Sequence, residues 1–177
     1  MKMLGFVGSL RKGSYNRALY NEFVSRLPQD WQIVEGHFAD WPLFNEDIES
    51  PLPEMVVALQ QRIKAAGGIV IVSPEYNRSI PGGLKNMIDW CSRGEHEDCW
   101  VGKKVYIMGA SSGNLGTVTA QYDLRRVMLY SGAQVMGKPE FFLGRNKEKF
   151  DAQMRLVDEP TKAQLDKAVA AFVEFVQ

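Results

Sequence analysis

Cysteine is scarce in this 177-residue chain, and neither sign of charge is in surplus. The two cysteines, Cys91 and Cys99, form no CxxC pair and belong to no Cys/His cluster at zinc-ligand spacing. That excludes a disulfide framework and a structural metal, and neither is needed at a length that buries most of the unfolded chain's surface. Lys+Arg 21 against Asp+Glu 21 leaves a formal charge of zero, so no global field draws the chain to nucleic acid or to an anionic membrane. Any anionic ligand has to be held locally. The apolar run before Gly8 is too short for a signal core, and no later run is long enough to span a bilayer. No repeat or low-complexity tract marks a linker. The expectation is one folding unit, residues 1–177, in a reducing cytoplasm. Histidine is also rare, and His37 and His96 assemble with no Ser/Asp or Cys partner into a catalytic set.

What is present is an alternation. Short apolar runs at 4–8, 32–38, 68–73, 104–110 and within 134–142 read as strands, and LGFVG, GIVIVS and KVYIMGA are nearly unbroken, as strands buried on both faces are. Between them, Leu19, Phe23 and Leu27 share a helical face, as do Val56, Leu59, Ile63 and Ala66 after Pro53, and Leu84, Ile88 and Cys91. A fourth helix is predicted over 119–130. The last is predicted from a capping box at Thr161 and Gln164 through Leu165, Val169, Phe172, Val173 and Val176. Strict alternation predicts an α/β three-layer sandwich with a five-stranded parallel sheet of order 2-1-3-4-5. Ligands on such a sheet bind beyond the carboxyl ends of the strands, where the winding reverses between strands 1 and 3.

Three loops at that edge carry unusual chemistry. Residues 8–16, GSLRKGSYN, pass from a buried strand into a helix, and Ser9, Arg11, Ser14 and Asn16 can all donate to phosphate oxygens beside a helix N-terminus. A plain helix cap would need one or two of them. Ser14 stands where a triphosphate-binding loop requires lysine, and the GxGxxG fingerprint is absent, so a terminal monophosphate fits better than a pyrophosphate. Residues 73–86 place Pro74 and Pro81 around Glu75, Tyr76 and Asn77, which either fixes peptide edges for a flat heteroaromatic ring or makes a rigid turn before a helix. Residues 109–117, GASSGNLGT, are small enough for a ring to approach the backbone, or are a flexible loop.

The three stretches GSLRKGSYNRAL, SPEYNRSIPGGLKNMIDW and GASSGNLGT together resemble the NADPH-dependent FMN reductase family of flavodoxin-like proteins, which includes quinone, chromate and azo-dye reductases. PLFNEDIE at 42–49 resembles the family's segment at the mouth of the site. The resemblance implies FMN as bound cofactor and NADPH or NADH as electron donor. It implies that Ser9, Arg11, Ser14 and Asn16 hold the FMN phosphate. Pro74, Glu75, Tyr76 and Asn77 would then line the isoalloxazine, with Ser111 and Gly113 on its other side. No protein residue is expected to be catalytic, because hydride is taken at the flavin N5, and no metal is expected. The partner is a small electron acceptor such as a quinone, free flavin, chromate or an azo compound, served by a ping-pong cycle. A homodimer or homotetramer is implied, with Trp41, Phe44 and Trp90 available to an interface or to the core. Arg78 is a candidate for steering the nucleotide. Two rivals stay open: a flavodoxin-like electron carrier without NAD(P)H oxidase activity, and a flavin-free regulatory domain on the same fold.

Overall fold

A strand made only of apolar residues has no face to offer water, and β3 (Gly68–Val72), buried at all five positions, lies at the centre of the sheet. In the computed structural model, which describes residues 1–177, β1 (Lys2–Val7) and β4 (Lys104–Ala110) flank it. β2 (Gln32–Glu35) pairs with β1, and the outer edge of β4 carries β5 (Gln134–Val135) and β6 (Phe141–Leu143). Every pair is parallel and the path runs β2-β1-β3-β4-β5, the order expected. The sixth strand was not expected. The run at 134–142 breaks because Pro139 has no N–H to donate to the ladder. Side chains serve this interruption instead: Arg125 Nη1 donates to Met136 O at 2.7 Å, and the Tyr106 hydroxyl to Pro139 O at 3.0 Å.

Successive strand residues face opposite layers. Val70, Val72, Tyr106 and Met108 pack with α1 (Tyr15–Val24) and α5 (Glu159–Val176) through Leu19, Phe23, Leu165 and Phe172. Ile69, Ile71, Val105 and Ile107 pack with α2 (Glu54–Ala65), α3 (Gly82–Cys91) and α4 (Val118–Tyr130) through Leu59, Ile63, Leu84, Ile88 and Leu124. Each such side chain, fully buried, contributes about 1.5–3 kcal/mol relative to exposure, so the two layers lock the sheet from both sides.

Two local expectations are corrected. β2 stops at Glu35 and not near 38, since Gly36 lies hard against the Phe6 ring and the chain then turns Phe38 inward. The capping box at Thr161 and Gln164 does not form. Asp158 caps α5 instead, accepting from Thr161 N at 3.0 Å and also from the Thr161 hydroxyl, with Pro160 in the first turn where its missing N–H costs nothing. No helix is long and apolar enough to cross a membrane.

The register sets the site. Val7, Val72 and Met108 lie level across three adjacent strands. Gly8 N donates to Val72 O and Ser73 N to Met108 O, both at 2.9 Å, so the three loops leave the sheet side by side.

Candidate active site

Loop one, residues 8–16, is built around unspent donors. None of the backbone N–H groups from Ser9 to Asn16 bonds to another backbone group. Gly13, at φ +66°, takes the left-handed turn that lets the chain curl there, and nothing stands within 4 Å of where its side chain would be. Ser14 is buried and caps α1, its Oγ accepting from Arg17 N at 3.3 Å. Arg11 is exposed, donates to Gly13 O at 2.7 Å and lies over Tyr15, 5.9 Å from the ring centre. A row of amides at the start of a helix, under an arginine, has the donors and the partial positive charge that suit one phosphate group.

Asn16 sits elsewhere than its sequence neighbours suggest. Its side chain is 4% exposed and both ends of the amide are committed to Ala110: Nδ2 donates to Ala110 O at 2.9 Å and Oδ1 accepts from Ala110 N at 2.8 Å. The residue thus joins α1 to the end of β4, and its donor toward loop one is its backbone N–H, not its side chain.

Loop two, residues 73–81, is wired internally. Tyr76 and Ser79 exchange backbone hydrogen bonds at 3.1 and 3.0 Å around Asn77 and Arg78, which have φ of +51° and +64°. Two adjacent left-handed non-glycine residues form the tight turn of a hairpin and hold their peptide edges in fixed directions. Tyr76, Asn77 and Arg78 are exposed, whereas Pro74 is buried. Glu75 does not project freely: Oε2 accepts from Ala120 N at 3.1 Å and Oε1 lies 3.4 Å from Arg78. α4 has no acidic residue in its first turn and no side-chain cap of its own, so Glu75 supplies both from another loop. Ser79 Oγ adds a 2.7 Å bond to Asp123 on the same helix.

Loop three, residues 110–117, closes the other side. Ser111 Oγ donates to Gly116 O at 2.7 Å, Ser111 N to Leu143 O at 2.9 Å, and Arg145 N to Gly113 O at 3.0 Å. Ser112, Gly113, Asn114 and Leu115 stay exposed. Gly109 before the loop is required by close approach, because a Cβ there would lie 2.1 Å from Ser73 O. Ser9, Arg11, Ser14, Pro74, Glu75, Tyr76, Asn77, Ser111 and Gly113 therefore share one edge of the sheet.

Several contributors have no sequence signal of their own. Asp123, Asn146, whose N–H donates to Ser111 O at 3.1 Å, and Asn86, which clamps Pro42 O and Phe44 N at 2.9 and 2.7 Å, act across long chain separations. Trp90 is fully buried and also donates to Pro42 O, so it belongs to the core and to the anchoring of 42–49 rather than to an exposed interface. Arg93 pairs with Glu49 at 2.6 Å and lies over Phe44, fastening the same segment. The missing cap on α4 was the one legible hint, since it required a carboxylate from elsewhere.

Residues 1–148 match the model of the NADPH-dependent FMN reductases. The chain belongs to that family. It is an oxidoreductase, with FMN as cofactor and NAD(P)H as reductant. It is 39% identical over 181 residues to a quinone reductase of Escherichia coli (strain K12), covering 100% of this chain and 96% of that one. It is 37% identical to a 2-hydroxy-1,4-benzoquinone reductase of a Burkholderia species, covering 100% and 97%. Among solved structures, the flavoenzyme NAD(P)H:(acceptor) oxidoreductase FerB from Paracoccus denitrificans superposes with a TM-score of 0.91 at 34% identity, covering 99% of this chain and 96% of that one. The residues present fit FMN: the amides of loop one have no protein acceptor, and a terminal phosphate is the acceptor that such a row suits.

Proposed function

We propose that this reductase passes electrons from NAD(P)H to a quinone, free flavin or similar small acceptor such as chromate or an azo compound, donor and acceptor using one open face in turn in a ping-pong cycle. The observation that carries the reading is the run of unspent amides from Ser9 to Asn16 at the start of α1, set beside a hairpin turn closed by its own Tyr76–Ser79 bonds and a third loop pinned through Ser111. Ser9, Arg11, Ser14 and the backbone of Asn16 would hold the phosphate. Pro74, Glu75, Tyr76 and Asn77 would border the ring, with Ser111 and Gly113 opposite. Bound FMN would supply the redox chemistry, taking hydride at N5. The protein's part is placement: the Asn77-Arg78 turn fixes one border of the ring site, Glu75 ties that border to α4, and loop three keeps its outer residues low and open.

The test is anaerobic stopped-flow reduction of the FMN-loaded protein by each nucleotide, followed by mixing with a quinone. Rapid bleaching of the flavin and its recovery on quinone addition, with parallel-line steady-state kinetics, is the expected result. Bound FMN that neither nucleotide reduces would make the chain an electron carrier, and a colourless protein that takes up no FMN would end both readings.

The same proposal includes a homodimer or homotetramer. α4 leaves Tyr122, Leu129 and Tyr130 at 52%, 60% and 94% exposure, residues of the kind that subunit contacts cover. Light scattering at micromolar concentration should return a multiple of 20.0 kDa, and a monomer would overturn this part. The two unpaired thiols agree with a reducing cytoplasm.

A further inference from the structure

Loop two is pinned at both legs to one face of α4. Glu75, on its outgoing leg, accepts from Ala120 N at 3.1 Å, and Ser79, on its returning leg, donates from Oγ to Asp123 Oδ2 at 2.7 Å. Ala120 and Asp123 are three residues apart, so they stand one above the other on the same side of the helix. We propose that Asp123 is a positioning residue for flavin reduction: through Ser79 it fixes the returning leg of loop two and so sets where Tyr76 and Asn77 stand against the ring. The assignment rests on the functional reading above and adds to it a residue outside the three loops.

The turn itself supplies the need. A two-residue turn with positive φ at both positions is best served by Asn-Gly. Asn77, at φ +51°, suits it, but Arg78, at φ +64°, stands where glycine would be unstrained. Within the hairpin one pair of backbone bonds, between Tyr76 and Ser79 at 3.1 and 3.0 Å, closes the turn. Tyr76, Asn77 and Arg78 are exposed, so packing does little to hold them. The 3.4 Å contact of the exposed Arg78 with Glu75 adds little in water. The strain is therefore opposed through the two legs, and Ser79 directly follows the strained residue.

Asp123 is equipped for this. Its Oδ1 accepts from Arg126 at 3.2 Å, one turn on, which leaves Oδ2 to Ser79 alone. On the inner face of the same helix Leu124 and Met128 are fully buried, so the carboxylate is mounted on an element locked to the sheet, and the exposed turn borrows that rigidity. A side-chain amide can accept the same bond and a methyl group cannot, so the role belongs to the hydrogen bond and not to the charge.

The test uses the FMN-loaded protein and the variants Ser79→Ala, Asp123→Ala, Asp123→Asn, Arg126→Ala and the Ser79→Ala, Asp123→Ala double. Stopped flow gives the limiting rate of flavin reduction at saturating NAD(P)H, and hydrogen exchange reads the Tyr76 and Ser79 amides. Ser79→Ala and Asp123→Ala should each slow reduction about tenfold and speed exchange by a similar factor, with the double variant no worse than either. FMN affinity should stay within about twofold and Tm within about 4 °C, as for one exposed-side hydrogen bond. Asp123→Asn should restore both rates, and Arg126→Ala, which removes an exposed ion pair, should change neither. Reduction at the wild-type rate in Asp123→Ala, additive effects in the double variant, or no rescue by Asp123→Asn would overturn the assignment. Faster exchange with rescue, in a protein whose flavin neither nucleotide reduces, would uphold Asp123 as the residue that sets loop two and sink the proposed activity instead.

Discussion

Loops one and two leave the same edge of the same sheet, yet only loop two is closed on itself by hydrogen bonds. From Ser9 to Asn16 the backbone donors meet no backbone acceptor, while Tyr76, Ser79 and Glu75 in loop two are all bonded within the protein. An amide left without an internal partner gains most from an anion, and a turn closed by its own bonds and tied to a helix holds its shape whether or not a ligand is present. Loop one is therefore suited to supply affinity, and loop two to supply geometry.

The comparison can be broken most forcefully where the two regions are fastened together. Asn16→Ala removes both bonds to Ala110 and strands a buried N–H and C=O, so unfolding by denaturant should show a loss of about 2–4 kcal/mol, with weaker FMN binding as a consequence. Arg11→Ala should separate affinity from stability: FMN binding followed by fluorescence should weaken by about 1.5–3 kcal/mol while Tm stays within a degree or two. Unchanged FMN affinity would remove Arg11 from the cradle. Glu75→Ala should do the reverse, lowering stability by about 1 kcal/mol through loss of the α4 cap, with most of it restored in Glu75→Gln, and slowing flavin reduction more than it weakens FMN binding. Loss of FMN affinity as large as that of Arg11→Ala would merge the two loops into one function.

The smallest expected effect is a control outside both loops. Burial pushes the Cys99 thiol up to about 12 and raises that of Cys91 as well, so both stay protonated in the folded chain where an unfolded thiol ionises near 9. Their contribution to stability is complete below about pH 9 and is lost as the pH climbs toward the folded values. The denaturation midpoint should decline above pH 9, less steeply in a Cys91→Ala, Cys99→Ala double variant, and neither thiol should react with Ellman's reagent in the native protein at neutral pH.

The layers were legible in the sequence because burial on two faces leaves an unbroken apolar run, and Ile69 to Val72 could not have been an edge strand. The split of the last strand was not, since Pro139 lies inside an otherwise apolar stretch and only the pairing with β4 shows which residues it interrupts. Loop one was legible as a polar strand-to-helix turn from residue types alone. What those types could not reveal is how each is spent: Asn16 and Ser14 are both polar and adjacent to the loop, but one pairs with a strand 94 residues away and the other caps its own helix. Glu75 and Ala120 meet only because strands 3 and 4 are neighbours, a fact that belongs to topology and not to spacing.

The pairing of Asn16 with Ala110 also bears on how relatives should be compared. A carboxamide that both gives to and takes from one residue's main chain acts as a surrogate peptide unit, and no other side chain of that length offers both halves at once. Aspartate would lose the giving half and serine the reach. An alignment column frozen at asparagine there would register the demands of this imitation strand, and counting it as proof of cofactor contact would credit the ligand with a constraint imposed by the scaffold.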